Sequence, residues 1–233
     1  MEIKRKQKYI SLRCANQGFT LVELIIALAV SLLALAAIYS TFLAQHRSYQ
    51  VQSETADMQQ NIRAAVYYMQ REIRMAGSNP KNASPAFGIT LASPSKITFT
   101  EDVRGTAGPP VVLYPDGDVN DPDENITYEL SGTDLVRTDN TVAPPNNTQT
   151  VAQNISALNF VYLDANRAPT ATLSNIRYVQ ITIVAQTKDN LLYGTTNTKQ
   201  YRNQQNAVFY TAPGDNVSRR LLTTMVRCRN LGL

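Results

Sequence analysis

The chain is poor in the residues that most often carry catalysis. Its 233 residues include one histidine, His46, and two cysteines, Cys14 and Cys228. There is no glycine-flanked nucleophilic serine and no glycine-rich loop that could cradle a phosphate. Carboxylates are present, but no spacing singles out an acid–base pair, and the chain reads as a non-enzyme. His46 falls just past an apolar run and reads as a polar residue at its edge. Proline is absent between Phe19 and Pro80, and Gly77 is the only glycine in that interval. One helix can therefore run from Phe19 to Ala76, about 87 Å at about 1.5 Å per residue.

Against these absences stands one strongly apolar segment. Phe19 to Leu43 holds fourteen Phe, Leu, Ile or Val residues, which together favour a bilayer by about 6 kcal/mol. A lone ionised acid at the bilayer centre opposes insertion by about 3 kcal/mol, and Glu23 lies near the end of the run. The segment is expected to insert. The stretch before it holds Lys4, Arg5, Lys6, Lys8 and Arg13 against Glu2, a bias that keeps the N-terminus cytoplasmic. Without those residues, 22 basic and 18 acidic side chains become 17 of each. The net charge of +4 thus belongs to the N-terminal stretch and gives no general field for nucleic acid. Two other readings of this N-terminus are a secretory signal, for which Ala27-Leu28-Ala29 and Ala34-Leu35-Ala36 supply small-x-small patterns, and an unprocessed anchor. The first expects the apolar region to break after 7–15 residues, and the second leaves Glu23 without a role.

Gly18-Phe19-Thr20-Leu21-Val22-Glu23, with the run that follows, resembles the prepilin signature of the type IV filament superfamily. The resemblance implies cleavage between Gly18 and Phe19 by a prepilin peptidase, N-methylation of Phe19, and assembly with other major and minor pilins through N-terminal helices at an inner-membrane platform. It casts Glu23 as the acid that meets the new amine of a neighbour. Such a pair at about 4 Å is worth about 4 kcal/mol at an effective dielectric of about 20, and a buried charge kept for registry is a recognised use. Cleavage also removes Cys14, so no intramolecular disulfide can form, and Cys228 reads as a small buried strand residue. Later patches resemble the PilW-like minor pilins: Ile38 to Phe42 with Arg47-Ser48-Tyr49, Ile126 to Leu130, Asn154 to Leu158 with Val161 to Asp164, and Arg219 to Leu222 with Arg229-Asn230. Ser40 stands where many major pilins have a helix-loosening proline. The implied role is a minor pilin in pilus assembly or initiation, membrane-anchored by a single pass with its C-terminal domain outside the cytoplasm. A minor pseudopilin of a type II secretion system and a displayed adhesin or DNA-uptake component are the alternatives.

The expected fold class is α+β, a long N-terminal helix packed by its second half on an antiparallel β-sheet domain. The organisation reads as a leader at 1–18, a helix at 19–77 with 19–43 as membrane span and filament core, and a β domain at 78–233. Met58, Ile62, Ala65, Val66, Met69, Ile73 and Ala76 recur at steps of three and four, an apolar stripe on a polar helix. Gly77 with Asn79-Pro80 supplies a stop. Strands are predicted at Ile89–Leu91, Lys96–Thr100, Ile126–Leu130, Leu135–Thr138, Ser156–Leu163, Tyr178–Gln186 and Arg220–Arg229. Ser131-Gly132 marks a hairpin, and Val179, Ile181 and Ile183 share one strand face. The polar stretches Asn79 to Pro94 and Asp139 to Thr150 read as exposed loops.

One loop suggests a metal. Asp116-Gly117-Asp118-Val119-Asn120 places oxygen ligands at alternate positions, as at the start of a calcium loop. Asp121 at the sixth position and Thr127 at the twelfth exclude a standard hand, which needs glycine and glutamate there. Asp116, Asp118, Asn120 and Glu124 form a looser calcium set, and the competing reading is a solvated acidic turn. No other cofactor is expected. Arg219, Arg220, Arg227 and Arg229 invite a DNA contact, but a few exposed arginines are common on a solvated sheet, and nucleic acid is not the expected partner.

Overall fold

A computed structural model describes residues 18–82, 87–105, 114–188 and 196–232. The chain divides into two compact units, Met1–Tyr49 and Gln50–Leu233. The described part of the first is residues 18–20 and the N-terminal stretch of helix α1 (Leu21–Met75). The expected helix, Phe19 to Ala76, differs from it by two residues at the start and one at the end.

In the second unit the helix continues and presents the predicted stripe. All seven residues are buried: Met58, Ile62, Ala65, Val66, Met69 and Ile73 in the helix, and Ala76 just past its end. Ten strands follow among the described residues: β1 (Ile89–Ala92), β2 (Lys96–Thr100), β3 (Asn125–Ser131), β4 (Asp134–Asp139), β5 (Thr148–Ala152), β6 (Ile155–Leu163), β7 (Tyr178–Gln186), β8 (Gln200–Arg202), β9 (Val208–Thr211) and β10 (Arg219–Arg227). Strands β1 to β5 form a five-stranded antiparallel meander, β10-β7-β6 a three-stranded antiparallel sheet, and β8-β9 a separate ribbon. The α+β class expected from the sequence is the one observed.

Both larger sheets contribute to one core with the helix stripe. Ile97, Phe99, Ile126, Tyr128 and Leu135 come from the meander, and Leu158, Phe160, Val179, Ile181, Ile183 and Val226 from the second sheet. A stripe of seven apolar residues on an otherwise polar helix requires such a cover, because its stability rests on tertiary packing more than on propensity. The sheets also join through polar contacts at the β1–β2 turn. Pro94 accepts the Phe160 N–H at 2.7 Å, and the Tyr162 hydroxyl donates to Ser93 O at 2.9 Å.

The helix stop is built from both ends of the domain. Gly77 adopts φ +83, the left-handed conformation that glycine reaches without steric cost. Its N–H donates to Thr100 O at 2.9 Å. The last turn leaves carbonyls without helical partners. Here Arg74 O accepts the Arg229 N–H at 3.1 Å, and Met75 O accepts the Asn230 side-chain amide at 3.0 Å.

Several local expectations change. The hairpin at Ser131-Gly132 forms between β3 and β4, with Gly132 at φ +64. Strands β5, β8 and β9 are additional. Thr148 to Thr150, expected in a loop, is the exposed start of β5 at the meander's edge. Central strand β7 is buried on both faces, because the β8-β9 ribbon covers its outer side: Val184 packs with Ala157, Tyr201 and Ala212. The last strand ends at Arg227, so buried Cys228 lies just beyond it, with its N–H on Arg177 O at 3.0 Å. Burial pushes its thiol up to about 12, which makes it inert.

Candidate functional site

The N-terminal segment has the composition of a membrane span and the packing of an unpartnered one. Helix α1 is long and apolar enough to cross a membrane, and none of its most apolar window is buried. Phe19 is 92% exposed, and Leu21, Ile25, Leu28, Leu32, Leu35 and Phe42 are all exposed. Apolar surface of this extent marks contact with lipid or with other chains.

Glu23 sits at the start of this helix in a reciprocal cap. Its Oε2 accepts the Thr20 N–H at 2.9 Å and the Thr20 hydroxyl at 2.9 Å, while the Glu23 N–H donates to Thr20 Oγ1 at 3.2 Å. Thr20 at the N-cap and Glu23 three residues on form a capping box, which satisfies N–H groups that the first turn leaves free. The pattern Thr-x-x-Glu is readable in the sequence, yet Thr20 was not among the expected functional residues. Among the described residues, none comes within 4 Å of a Cβ placed at Gly18. Gly18 and Phe19 are both exposed and precede the helix, so the bond between them lies outside regular structure.

The acidic loop is arranged differently from the expected ligand set. Asp116, Asp118 and Asp121 each offer a carboxylate oxygen within 4.8 Å of the others. Glu124 does not join them. It is fully buried, and its Oε1 accepts the Val103 and Arg104 N–H groups at 3.0 and 2.9 Å, while Oε2 accepts that of Asp121 at 3.3 Å. Burial raises its carboxyl and those three N–H groups oppose the rise. Asn120 is exposed, and its N–H donates to Asp118 Oδ1 at 2.9 Å. Beneath the loop, fully buried Asp102 accepts the Asp116 and Gly117 N–H groups at 3.1 and 3.0 Å.

A second polar cluster lies where the helix meets the meander. Arg137 on β4 donates from Nε to both Glu72 oxygens at 3.0 Å and from Nη2 to Asp123 at 2.8 Å, while the Tyr128 hydroxyl donates to Glu72 at 2.7 Å. This ties the polar edge of the helix to the sheet. Glu101 is 6% exposed beside the cluster, and its Oε2 has no hydrogen-bond partner among the described residues. Burial, followed by the nearby Glu72 charge, pushes it up to about 8. Glu101 and Arg137 line an open groove of about 1070 Å³ with Tyr67, Tyr68, Arg71 and Arg104. Among the described residues, no serine, cysteine, lysine or histidine lines it.

The C-terminal arginines do not form a patch. Arg219 is held by Asp215 at 2.5 Å and stacks 5.8 Å from the Tyr210 ring centre, whereas Arg220 and Arg227 are exposed. Arg229 lies past the strand, so the alternation expected to pair it with Arg227 ends first.

An exposed apolar helix with a capped acid at its start, continued into antiparallel β-sheets, makes an α+β arrangement. Residues 13–39 match the family described as prokaryotic N-terminal methylation motif. A type IV-like pilin from Thermus thermophilus is similar in structure, with 15% identity, a TM-score of 0.48, and coverage of 79% of this chain and 100% of that one. No curated protein matches by sequence.

Proposed function

We propose that this protein is a minor pilin-like structural subunit of a type IV pilus, of the PilW-like kind, acting in pilus assembly or initiation. The observation that carries the reading is the methylation motif over residues 13–39 on a helix whose apolar side chains are exposed. Such a helix needs one cover before assembly and another after it. The bilayer supplies the first, with the β domain on the extracytoplasmic side, and the N-terminal helices of neighbouring subunits supply the second. Prepilin peptidase cuts between Gly18 and Phe19 and methylates the new terminus, and Glu23 sets the alignment with a neighbour.

Intact-mass determination of protein from its native membrane tests the processing step. The expected mass lacks residues 1–18 and carries one added methyl group. A full-length mass in cells with an active peptidase rejects the proposal. Deletion of the gene is expected to abolish surface fibres. Loss of protein secretion with fibres intact assigns the subunit to a type II secretion pseudopilus instead.

A further inference from the structure

We propose that Asp116, Asp118 and Asp121 form a calcium site on the loop that precedes β3, with Asp121 as its inner ligand. Three carboxylate oxygens lie within 4.8 Å of one another. Oxygens at about 2.3–2.6 Å from one calcium ion are no more than about 5 Å apart, so three oxygens in this span can close on one ion with at most a few tenths of an ångström of movement.

Proximity of acids alone is common on surfaces, and the second observation is Asp121. Asp121 is 3% exposed, and its Oδ2 has no hydrogen-bond partner among the described residues. A buried carboxylate oxygen without a donor is costly, and such groups are paired or coordinate metals. The neighbouring donors are already engaged. The Asp118 and Asn120 N–H groups are taken by Asp116 Oδ1 and Asp118 Oδ1, and the Asp121 N–H by Glu124. Lys81 donates to the Asp116 carbonyl at 3.3 Å. Three acids thus face one another with a shared need for positive charge, on a loop held from below by Asp102.

The donor set selects the ion. All three ligands are hard oxygens, which suit calcium or magnesium over softer metals. Three carboxylates of unequal burial, leaving room for water, fit the flexible six-to-eight coordination of calcium better than the strict octahedron of magnesium. The expected affinity is that of extracellular modules, a Kd of about 10⁻⁴–10⁻³ M.

The test uses the full-length chain in detergent, stripped with a chelator and titrated with calcium chloride by calorimetry and thermal unfolding. One binding event in that range and a Tm rise of about 3 °C at tenfold excess over Kd are expected. Asp121→Asn is expected to abolish the calcium response while keeping at least the wild-type Tm without calcium, because it removes the unpaired buried charge. Asp118→Asn, at a position that is not fully buried, repeats the loss with little risk to folding. No heat and no Tm shift in wild type at about 5 mM calcium overturns the site, as does an undiminished response in both variants. Equal binding of magnesium overturns the choice of ion.

Discussion

Glu101 shows how a single buried acid can set a pH dependence for the whole domain. Its ordinary value is 4.5, and burial beside Glu72 pushes it to about 8. Between those values the folded state holds the proton more tightly than the unfolded chain does. Its contribution to stability is therefore complete below about pH 4.5 and is lost as pH rises through about 8. At about 1.4 kcal/mol per unit, the loss reaches at most about 5 kcal/mol. Glu101→Gln keeps the shape and removes the titration. Urea unfolding at pH 5, 7 and 9 is expected to show the variant gaining on wild type as pH rises, with the two converging toward pH 5. A constant difference across that range refutes the assignment. The acid was invisible in the sequence, because nothing in Thr100-Glu101-Asp102 reveals that the Glu72–Arg137 pair lies beside it.

Among the secondary-structure elements, legibility followed how completely each one buries a periodic face. All seven residues of the helix stripe were readable because a polar helix with one apolar stripe has a single way to pack. The β6 and β7 runs were readable for a related reason, dense branched and aromatic content. Strand β5 was not: Thr148-Gln149-Thr150 lies exposed on an edge with no apolar face to betray it. Strand β8 is too short to show a period, whereas Val208-Phe209-Tyr210-Thr211 in β9 has the β-branched and aromatic composition of a strand over only four residues. In the acidic loop, Asp116 and Asp118 were legible from their alternate spacing; Asp121 was not taken as a ligand, and the orientation of Glu124 depends on where the Val103 and Arg104 N–H groups fall. The helix stop gives a prediction at this scale. Gly77→Ala must hold φ +83 with a Cβ 2.5 Å from Leu231 Cδ2. The conformation alone costs about 1–2 kcal/mol, and displacement of the leucine adds to it. Ile73→Ala, which empties a fully buried position on the stripe, is expected to cost about 2–5 kcal/mol. Chemical denaturation measures both, and neutrality of either contradicts the packing described.

For the molecule as a whole, the question is whether Glu23 acts by charge or only by capping its own helix. The Thr20–Glu23 box accounts for the carboxylate locally, so its presence alone does not require a neighbour. The two roles separate by substitution. Glutamine serves at the third position of a capping box nearly as well as glutamate, but it carries no charge to meet a terminal amine. If capping were the whole role, Glu23→Gln would assemble normally and only Glu23→Ala and Thr20→Val would fail. If the charge aligns subunits, Glu23→Gln and Glu23→Ala fail together, while Thr20→Val retains partial assembly. The second pattern is expected, with the leader still removed in every variant and incorporation of the Gln form into sheared filaments down at least about tenfold, the ratio that about 1.4 kcal/mol represents. Quantitative blotting of filament and membrane fractions distinguishes the two, and wild-type incorporation of Glu23→Gln would reduce this acid to a helix cap.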